Sequence, residues 1–409
     1  MPTLLSINNY FYRRGGAEVV FLEQNRLLEE AGWDIVPFAM RHDKNLPSPW
    51  SEFFVEEIEF GEAYSLREKA VRALKITYSM EARRNIKRLL ERANPDVAHA
   101  HNVYHHISPS FFEVLHARGV PTVLSLHDLK IACPAYKMLT HDGICERCKG
   151  GKIWNVATQR CIKGSRVLSA VIMLETAVHR LLGCYSKNVD RFVVPSRFYI
   201  DKLVEWGWPR ERFIHVPNFV DIDLLRPMGP PGEHFVYCGR LGPEKGLATF
   251  IRAVAQSRVK AQIIGTGPEE AALRALAQET GAIVDFAGYR SGEELYALLR
   301  SARALVLPSE WYENAPMSVM EAYALERPVI GAEIGGIPEL VREDETGALF
   351  PSGDQDALAE QLTRFAGLST QAVWDMGKAG RRWMAADFGA THYRDRLLAV
   401  YAAVQPTAV

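Results

Sequence analysis

The sequence predicts an α/β protein built as two Rossmann-like domains that face each other across a cleft. Short apolar runs alternate with small-residue turns and amphipathic helical stretches, the rhythm of parallel sheets covered by helices. A Pro- and Gly-rich stretch, DIDLLRPMGPPGEH (221–234), separates two halves of similar size. The length of 409 residues corresponds to two large or three small domains at ~150 residues each.

In the first half, TLLSIN (3–8) reads as a strand, followed by a loop through Gly15 and Gly16 and a helix over Ala17–Ala31. DIVPFAM (34–40) is the next strand. Leu66–Leu90 reads as one long amphipathic helix, with apolar positions Leu66, Ala70, Leu74, Tyr78, Ala82, Ile86 and Leu90. DVAHAH (96–101), TVLSLHD (122–128), RFVVPS (191–196) and FIHVPN (213–218) read as strands, with a helix near Tyr199–Trp206. Beyond the linker, HFVYCG (234–239), AQIIG (261–265), VDFAG (284–288), ALVLPS (304–309) and PVIGA (328–332) repeat the pattern, and Val373–Val404 reads as helical. Two such halves bind ligand in the cleft between them, at the carboxyl ends of their strands.

Composition excludes several classes. With 48 basic and 49 acidic side chains the net charge is −1, which argues against a nucleic-acid binder. No apolar run reaches the ~18 residues that cross a membrane. The start, MPTLLSINNY, lacks the basic and apolar regions of a leader, so none is expected. Six cysteines in a chain this long are not a disulfide framework, and the expected compartment is the reducing cytosol.

Three motifs carry chemistry. Glu313-Asn-Ala-Pro-Met-Ser-Val-Met-Glu321 follows a strand and opens a helix, where Asn314, Ala315 and Met317 can offer backbone N–H groups to an anion. If the whole stretch is helical, Glu321 lies about 12 Å beyond Glu313, so one acid can contact a sugar and the other a ribose. Gly239-Arg240-Leu-Gly-Pro-Glu-Lys245-Gly246 also joins a strand to a helix, and Arg240 with Lys245 suits a diphosphate. Arg14-Gly15-Gly16-Ala-Glu18 after the first strand can turn backbone amides to the same ligand. Gly265-Thr-Gly267 lacks the third glycine of a dinucleotide fingerprint, which counts against that ligand. His127, beside Asp128 at a strand end, points toward the cleft; a hydrogen-bonded structural histidine is its plainer alternative.

Taken together, Glu313-x7-Glu321, GRLGPEKG (239–246), GGAE (15–18) and VPNFVD (216–221) resemble the retaining glycosyltransferases of family 4, which have the GT-B fold. The resemblance runs from residue 15 to residue 321. It implies transfer of a sugar from a UDP- or GDP-sugar to a hydroxyl of a glycan or lipid-linked acceptor, as in bacterial polysaccharide or glycoconjugate synthesis. It gives Arg240 and Lys245 to the donor diphosphate, Glu321 to the ribose, Glu313 to the transferred sugar, Gly15 and Gly16 to the phosphate-facing loop, and His127 to the sugar or acceptor near the reacting carbon. Glu313 then positions and stabilises, in a front-face route where the leaving phosphate helps deprotonate the acceptor. Neither an organic cofactor nor a donor-site metal is implied; the literal DxD at Asp221-Ile-Asp223 lies in the linker and is a weak Mg²⁺ site. The implied domains are 1–220 on the acceptor side, 221–384 on the donor side, and a helix at 385–409 crossing back to the first, anchored by Trp383, Phe388 and Tyr393, with a hinge near 219–232. A nucleotide-sugar epimerase of the same fold, or a non-catalytic nucleotide-sugar or metal-binding scaffold, is the alternative.

One feature departs from the family's minimal pattern. Cys133, Cys145, Cys148 and Cys161 fall within 29 residues, in an insertion at 130–165 rich in Gly and Lys. Their C-x11-C-x2-C-x12-C spacing predicts a structural metal, zinc favoured over an iron–sulfur cluster, with reduced thiols or a disulfide as the alternative. Following His127 directly, the insertion is expected to shape the acceptor side. The stretch 65–92 carries nine Lys/Arg against three Glu, which suits peripheral contact with an anionic membrane at the inner face of the cell; a solvated face packed on the sheet is the plainer reading.

Overall fold

Each half of the chain forms one six-stranded parallel sheet. The computed structural model describes residues 1–58 and 66–405, side chains of 66–71 excepted. In the first half the strands are β1 (Thr3–Ile7), β2 (Asp34–Phe38), β3 (Val97–Ala100) and β4 (Thr122–Ser125), then a two-stranded hairpin β5 (Leu139–Thr140) and β6 (Gly143–Ile144) within the insertion, then β7 (Arg191–Val194) and β8 (Phe213–His215). The second half has β9 (Phe235–Cys238), β10 (Lys260–Ile264), β11 (Ile283–Gly288), β12 (Ala304–Leu307), β13 (Val329–Ala332) and β14 (Gly347–Phe350).

The first sheet runs β2-β1-β3-β4-β7-β8 and the second β11-β10-β9-β12-β13-β14. The central strands are buried on both faces, which is why VAHA, TVLS, ALVL and VIGA read as continuous runs of small and apolar residues rather than alternating ones. In the second sheet β9 and β12 pair in parallel and the order of strand addition reverses between them, and this switch point leaves a crevice at their carboxyl ends. The segments that leave β9 and β12 carry residues 239–246 and 313–321, the two motifs expected to bind the ligand.

Two expected helices are each broken in two. The stretch read as Leu66–Leu90 consists of helices Leu66–Thr77 and Met80–Arg92. Ser79 stands extended between them, and its hydroxyl accepts from the Ala82 N–H as an N-cap. The side chains of Leu66, Arg67, Lys69 and Ala70 lie outside the described residues. Three of the basic residues counted toward a membrane face form ion pairs, Lys75 with Glu81, Arg83 with Glu113 and Arg92 with Glu52. The stretch read as Val373–Val404 likewise divides into Thr370–Asp387 and Ala390–Val404, parted at Phe388 and Gly389.

That division decides where the chain end packs. Tyr393, Leu397, Val400 and Tyr401 bury against Leu4, Val20, Val97, Val123 and Val193, a cluster under the first sheet. Trp383 and Phe388 pack instead on the core of the second domain, so only Tyr393 of the three expected anchors reaches the first. A backbone bond from Val220 to Phe388 joins the two crossings of the chain between domains.

Candidate active site

Lys245 and Glu313 meet at the switch point. The Nζ of Lys245 bonds Glu313 Oε1 at 2.7 Å and lies 4.9 Å from the centre of the Trp311 ring. The Ser309 hydroxyl donates to the same carboxylate oxygen at 2.7 Å, and Glu313 is buried. Gly246 makes the approach feasible. Its φ is +65°, and a Cβ there would stand 1.8 Å from the Pro308 carbonyl, so only glycine lets the β9 loop lie against the β12 loop. Arg240 pairs with the buried Glu244, while its own side chain stays half exposed.

The helix after Glu313 is shorter than the sequence suggested. Only Met317–Ala324 is helical; Pro316 is extended at φ −66°, ψ 122°, and a residue before proline is driven out of the helical region. The 12 Å helical separation of Glu313 and Glu321 therefore does not apply. Among the described residues, the backbone N–H groups of Asn314, Ala315 and Met317 take no hydrogen-bond partner. Such a row of amides with a helix N-terminus favours an anion. Glu321, one turn into the helix, is half-buried, and burial pushes its carboxyl up to about 7. It neighbours Cys238 at the end of β9.

The first domain closes over this crevice. The Asn314 side chain crosses to it, accepting from the Ser196 hydroxyl at 2.8 Å and donating to the Leu126 carbonyl at 2.9 Å. Asn218 donates to the Ala315 carbonyl at 2.9 Å. A Cβ at Gly16 would stand 3.7 Å from Met317, which brings the glycine turn to the start of helix Met317–Ala324. Glu18 half-closes that turn: buried and with its pKa raised by burial, it accepts from the Gly15 and Glu18 amides. Asp221, half of the literal DxD, pairs with Arg26 at 3.2 Å and accepts from the Asp223 and Leu224 amides, which commits it to the linker turn.

His127 reaches the cleft from the end of β4, and a partner the sequence reading missed sits behind it. His101 Nδ1 lies 2.8 Å from His127 Nε2, with the rings stacked at 5.1 Å. His99 stacks behind His101 at 4.7 Å and contacts the Tyr401 hydroxyl at 2.7 Å and the Ser125 hydroxyl at 2.9 Å. Burial holds His127 at about 4 and His99 at about 3, so the row is neutral near pH 7. Neutral imidazoles can pass a hydrogen bond along, one nitrogen donating and the next accepting. Asp128, pushed up by burial to about 6, accepts from the Lys130 amide at 2.8 Å. The signal that could have found His101 was the i, i+2 repeat in HAH, which puts His99 in β3 and His101 just past its end on the same face.

The four cysteines do not make the expected metal site. Burial first, and the neighbouring thiols second, push Cys148 up to about 12 and Cys161 to about 11. Yet among the described residues no group of three or more His, Cys, Asp or Glu side chains is arranged to hold a metal ion. All four thiols are free, and Cys133 is held by amides of Ala135 and Met138. Zinc expected on Cys133, Cys145, Cys148 and Cys161 is thus not supported. Among the described residues no helix is long and apolar enough to cross a membrane.

Known proteins can be set beside this geometry. The family model described as Glycosyltransferase Family 4 matches residues 14–224, about half the chain, and that of Glycosyl transferases group 1 matches 230–383. WcaL of Escherichia coli K12, named for colanic acid biosynthesis, is 32% identical over 49% of this chain and 53% of its own length. A GDP-mannose-dependent alpha-mannosyltransferase of Mycobacterium tuberculosis is 30% identical over 65% of this chain and 74% of its own. The chain spans about half the length of the first curated relatives it matches. Among solved structures, sucrose-phosphate synthase of Thermosynechococcus elongatus superposes with a TM-score of 0.70 at 20% identity, covering 98% of this chain and 99% of that one. HepE of Anabaena, solved with UDP, gives 0.64 at 15% identity, covering 98% and 100%. At such identities the superpositions establish the two-domain GT-B fold alone.

Proposed function

The chain belongs to the glycosyltransferases of family 4, and from that premise we propose that it moves a sugar from a UDP- or GDP-sugar to a hydroxyl of a glycan or lipid-linked acceptor, with the anomeric configuration kept. The observation that carries this reading is the Lys245–Glu313 pair at the switch point, beside the unpartnered amides of Asn314, Ala315 and Met317.

In this reading the donor diphosphate lies against Arg240 and Lys245, and the ribose hydroxyls donate to Glu321. Glu313, steadied by Ser309, faces the transferred sugar. As the bond from the anomeric carbon to the phosphate oxygen breaks, negative charge grows on the leaving group. The two cations and the amide row stabilise that charge in a site closed to water, so a donor-site metal is not required. The acceptor hydroxyl attacks from the same face, and its proton passes to the departing phosphate. His127, neutral and braced by His101, offers a hydrogen bond to the sugar or acceptor hydroxyl near the reacting carbon. The relatives named for polysaccharide synthesis and for GDP-mannose support this substrate class.

The test is a thermal-shift and ligand-release screen against UDP-, GDP- and ADP-sugars, with and without EDTA. One nucleotide-sugar is expected to stabilise the protein equally in both conditions. Arg240→Ala and Lys245→Ala are each expected to cut turnover by about 100-fold or more while the protein stays folded, the scale of losing a donor to a developing anion. Unchanged turnover in either variant would overturn the diphosphate assignment. A Glu313→Gln protein with full function would move the chain from enzyme to scaffold.

A further inference from the structure

We propose, building on the transfer reaction above, that the insertion 130–165 is the recognition wall for an acceptor that carries a phosphate group. The chain as a whole has a net charge of −1, but this segment holds seven Lys/Arg against two acids. Lys130 and Lys149 are paired with Glu175 and Glu205, and Arg147 lies 3.8 Å from Asp142, so the unpaired charge that matters is that of Arg160 and Lys163.

The segment does not merely cover the first domain. It forms one side of a cavity of about 840 Å³ whose other side is the donor loop. Lys137, His141, Arg160 and Lys163 line the insertion's side, and Pro243, Glu244 and Glu310 face them. Of the acids opposite, Glu244 is charge-paired, while Glu310 is held by a hydrogen bond and keeps its charge. Glu244 pairs with Arg240, and Lys137 reaches across to it at 3.6 Å. Glu310 accepts from the Thr249 hydroxyl at 2.6 Å. On the near side His141 pairs with Asp142 at 3.1 Å. Among the described residues Arg160 and Lys163 have no ion-pair partner, and both are exposed at the cavity.

Their backbones add a second argument. Arg160 and Lys163 have φ of +49° and +48°, and Tyr136 and Met138, flanking Lys137, have +57° and +46°. Non-glycine residues hold that conformation only where surrounding structure enforces it, and such strain gathers at binding and switch segments. A phosphate is the ligand these groups suit: it accepts charge-assisted hydrogen bonds from a guanidinium and an ammonium together. The Lys137–Glu244–Arg240 chain ties the wall to the donor loop, so an acceptor anchored by its phosphate presents its hydroxyl toward the proposed donor site.

Calorimetric titration with inorganic pyrophosphate tests this in a protein whose donor cations are removed, Arg240→Ala/Lys245→Ala. That background is expected to bind pyrophosphate, more weakly as salt rises, and adding Arg160→Gln/Lys163→Gln is expected to weaken it by about tenfold or more. Wild type saturated with UDP or GDP repeats the comparison should the background fail to fold. Farnesyl diphosphate and glucose 1-phosphate, titrated in parallel, separate a lipid-linked from a soluble source. The proposal is overturned if pyrophosphate does not bind, or if the two Gln substitutions leave its affinity unchanged. Failure of the transferase reading shows separately, as wild type that binds no nucleotide-sugar.

Discussion

Glu321 is the residue whose chemistry is most exposed to test. An ordinary glutamate is ionised throughout the physiological range, but burial beside Cys238 and Tyr296 lifts this one to about 7. Only the carboxylate accepts two hydroxyl hydrogen bonds. The ionised fraction in the free protein climbs from about a tenth at pH 6 to about nine tenths at pH 8. Affinity for the donor is therefore expected to rise by up to about tenfold over that interval and level off above it, while Glu321→Gln binds weakly and without the pH dependence. An affinity in wild type that is flat between pH 6 and 8 would remove Glu321 from the ribose. At this scale the sequence showed residue types and loops but not partners. Glu313, Lys245 and Arg240 were visible because strand–loop–helix grammar marks the switch-point loops. That Lys245 bonds Glu313 was not visible, because the partner lies 68 positions away. The role of Asn314 as a bridge to Leu126 and Ser196 was hidden for the same reason. His101 was passed over because DVAHAH satisfies the pattern of a buried strand without any appeal to chemistry.

Elements show where local rules decided and where long-range packing did. Strands β9 and β12 were legible from apolar runs alone, since both faces are covered. The break at Ser79 was not, because helical periodicity carries through it and the cap is marked by one serine whose backbone also bonds Ser110. The shortness of Met317–Ala324 follows from Pro316, a signal present in the sequence that the expected helical separation of Glu313 and Glu321 left out of account. The loop Gly239–Gly246 offers the sharpest element-scale test. Gly246 combines a left-handed backbone with contact against the Pro308 carbonyl. Gly246→Ala must therefore push the β9 loop off the β12 loop and separate Lys245 from Glu313. The strain alone is of order 1–3 kcal/mol. Donor affinity is expected to fall more than tenfold, with circular dichroism unchanged. Gly281→Ala, also left-handed but with open space at its Cβ, is the control for strain without displacement. Equal loss of donor affinity in the two variants would show that close approach at Gly246 does not matter.

The whole molecule is held as two domains by a chain that crosses between them twice, and the second crossing was the harder to place from sequence. Periodicity over Val373–Val404 does not show a break, and the return of 385–409 to the first domain was implied by the family resemblance alone; the break falls at Phe388–Gly389, and Ala390–Val404 packs on the first sheet. There Leu397 is fully buried among side chains from the other end of the sequence, and Tyr401 touches His99 behind the histidine row. The C-terminal helix is thus part of the first domain in packing, although it follows the second domain in the chain. Leu397→Ala should open a cavity costing about 2–5 kcal/mol, and that loss should fall on the domain formed by residues near the N-terminus. A nucleotide-sugar supplies the label that tells the domains apart, because it stabilises what it binds in proportion to its excess over Kd. In differential scanning calorimetry the donor is expected to raise one unfolding transition, and Leu397→Ala to lower the other. A variant in which the donor-responsive transition falls while its partner stays fixed would mean that the last helix stabilises the donor side. A single merged transition, lowered by the substitution and raised by the donor, would mean instead that the two crossings couple the domains into one cooperative unit, with the backbone bond from Val220 to Phe388 at the joint.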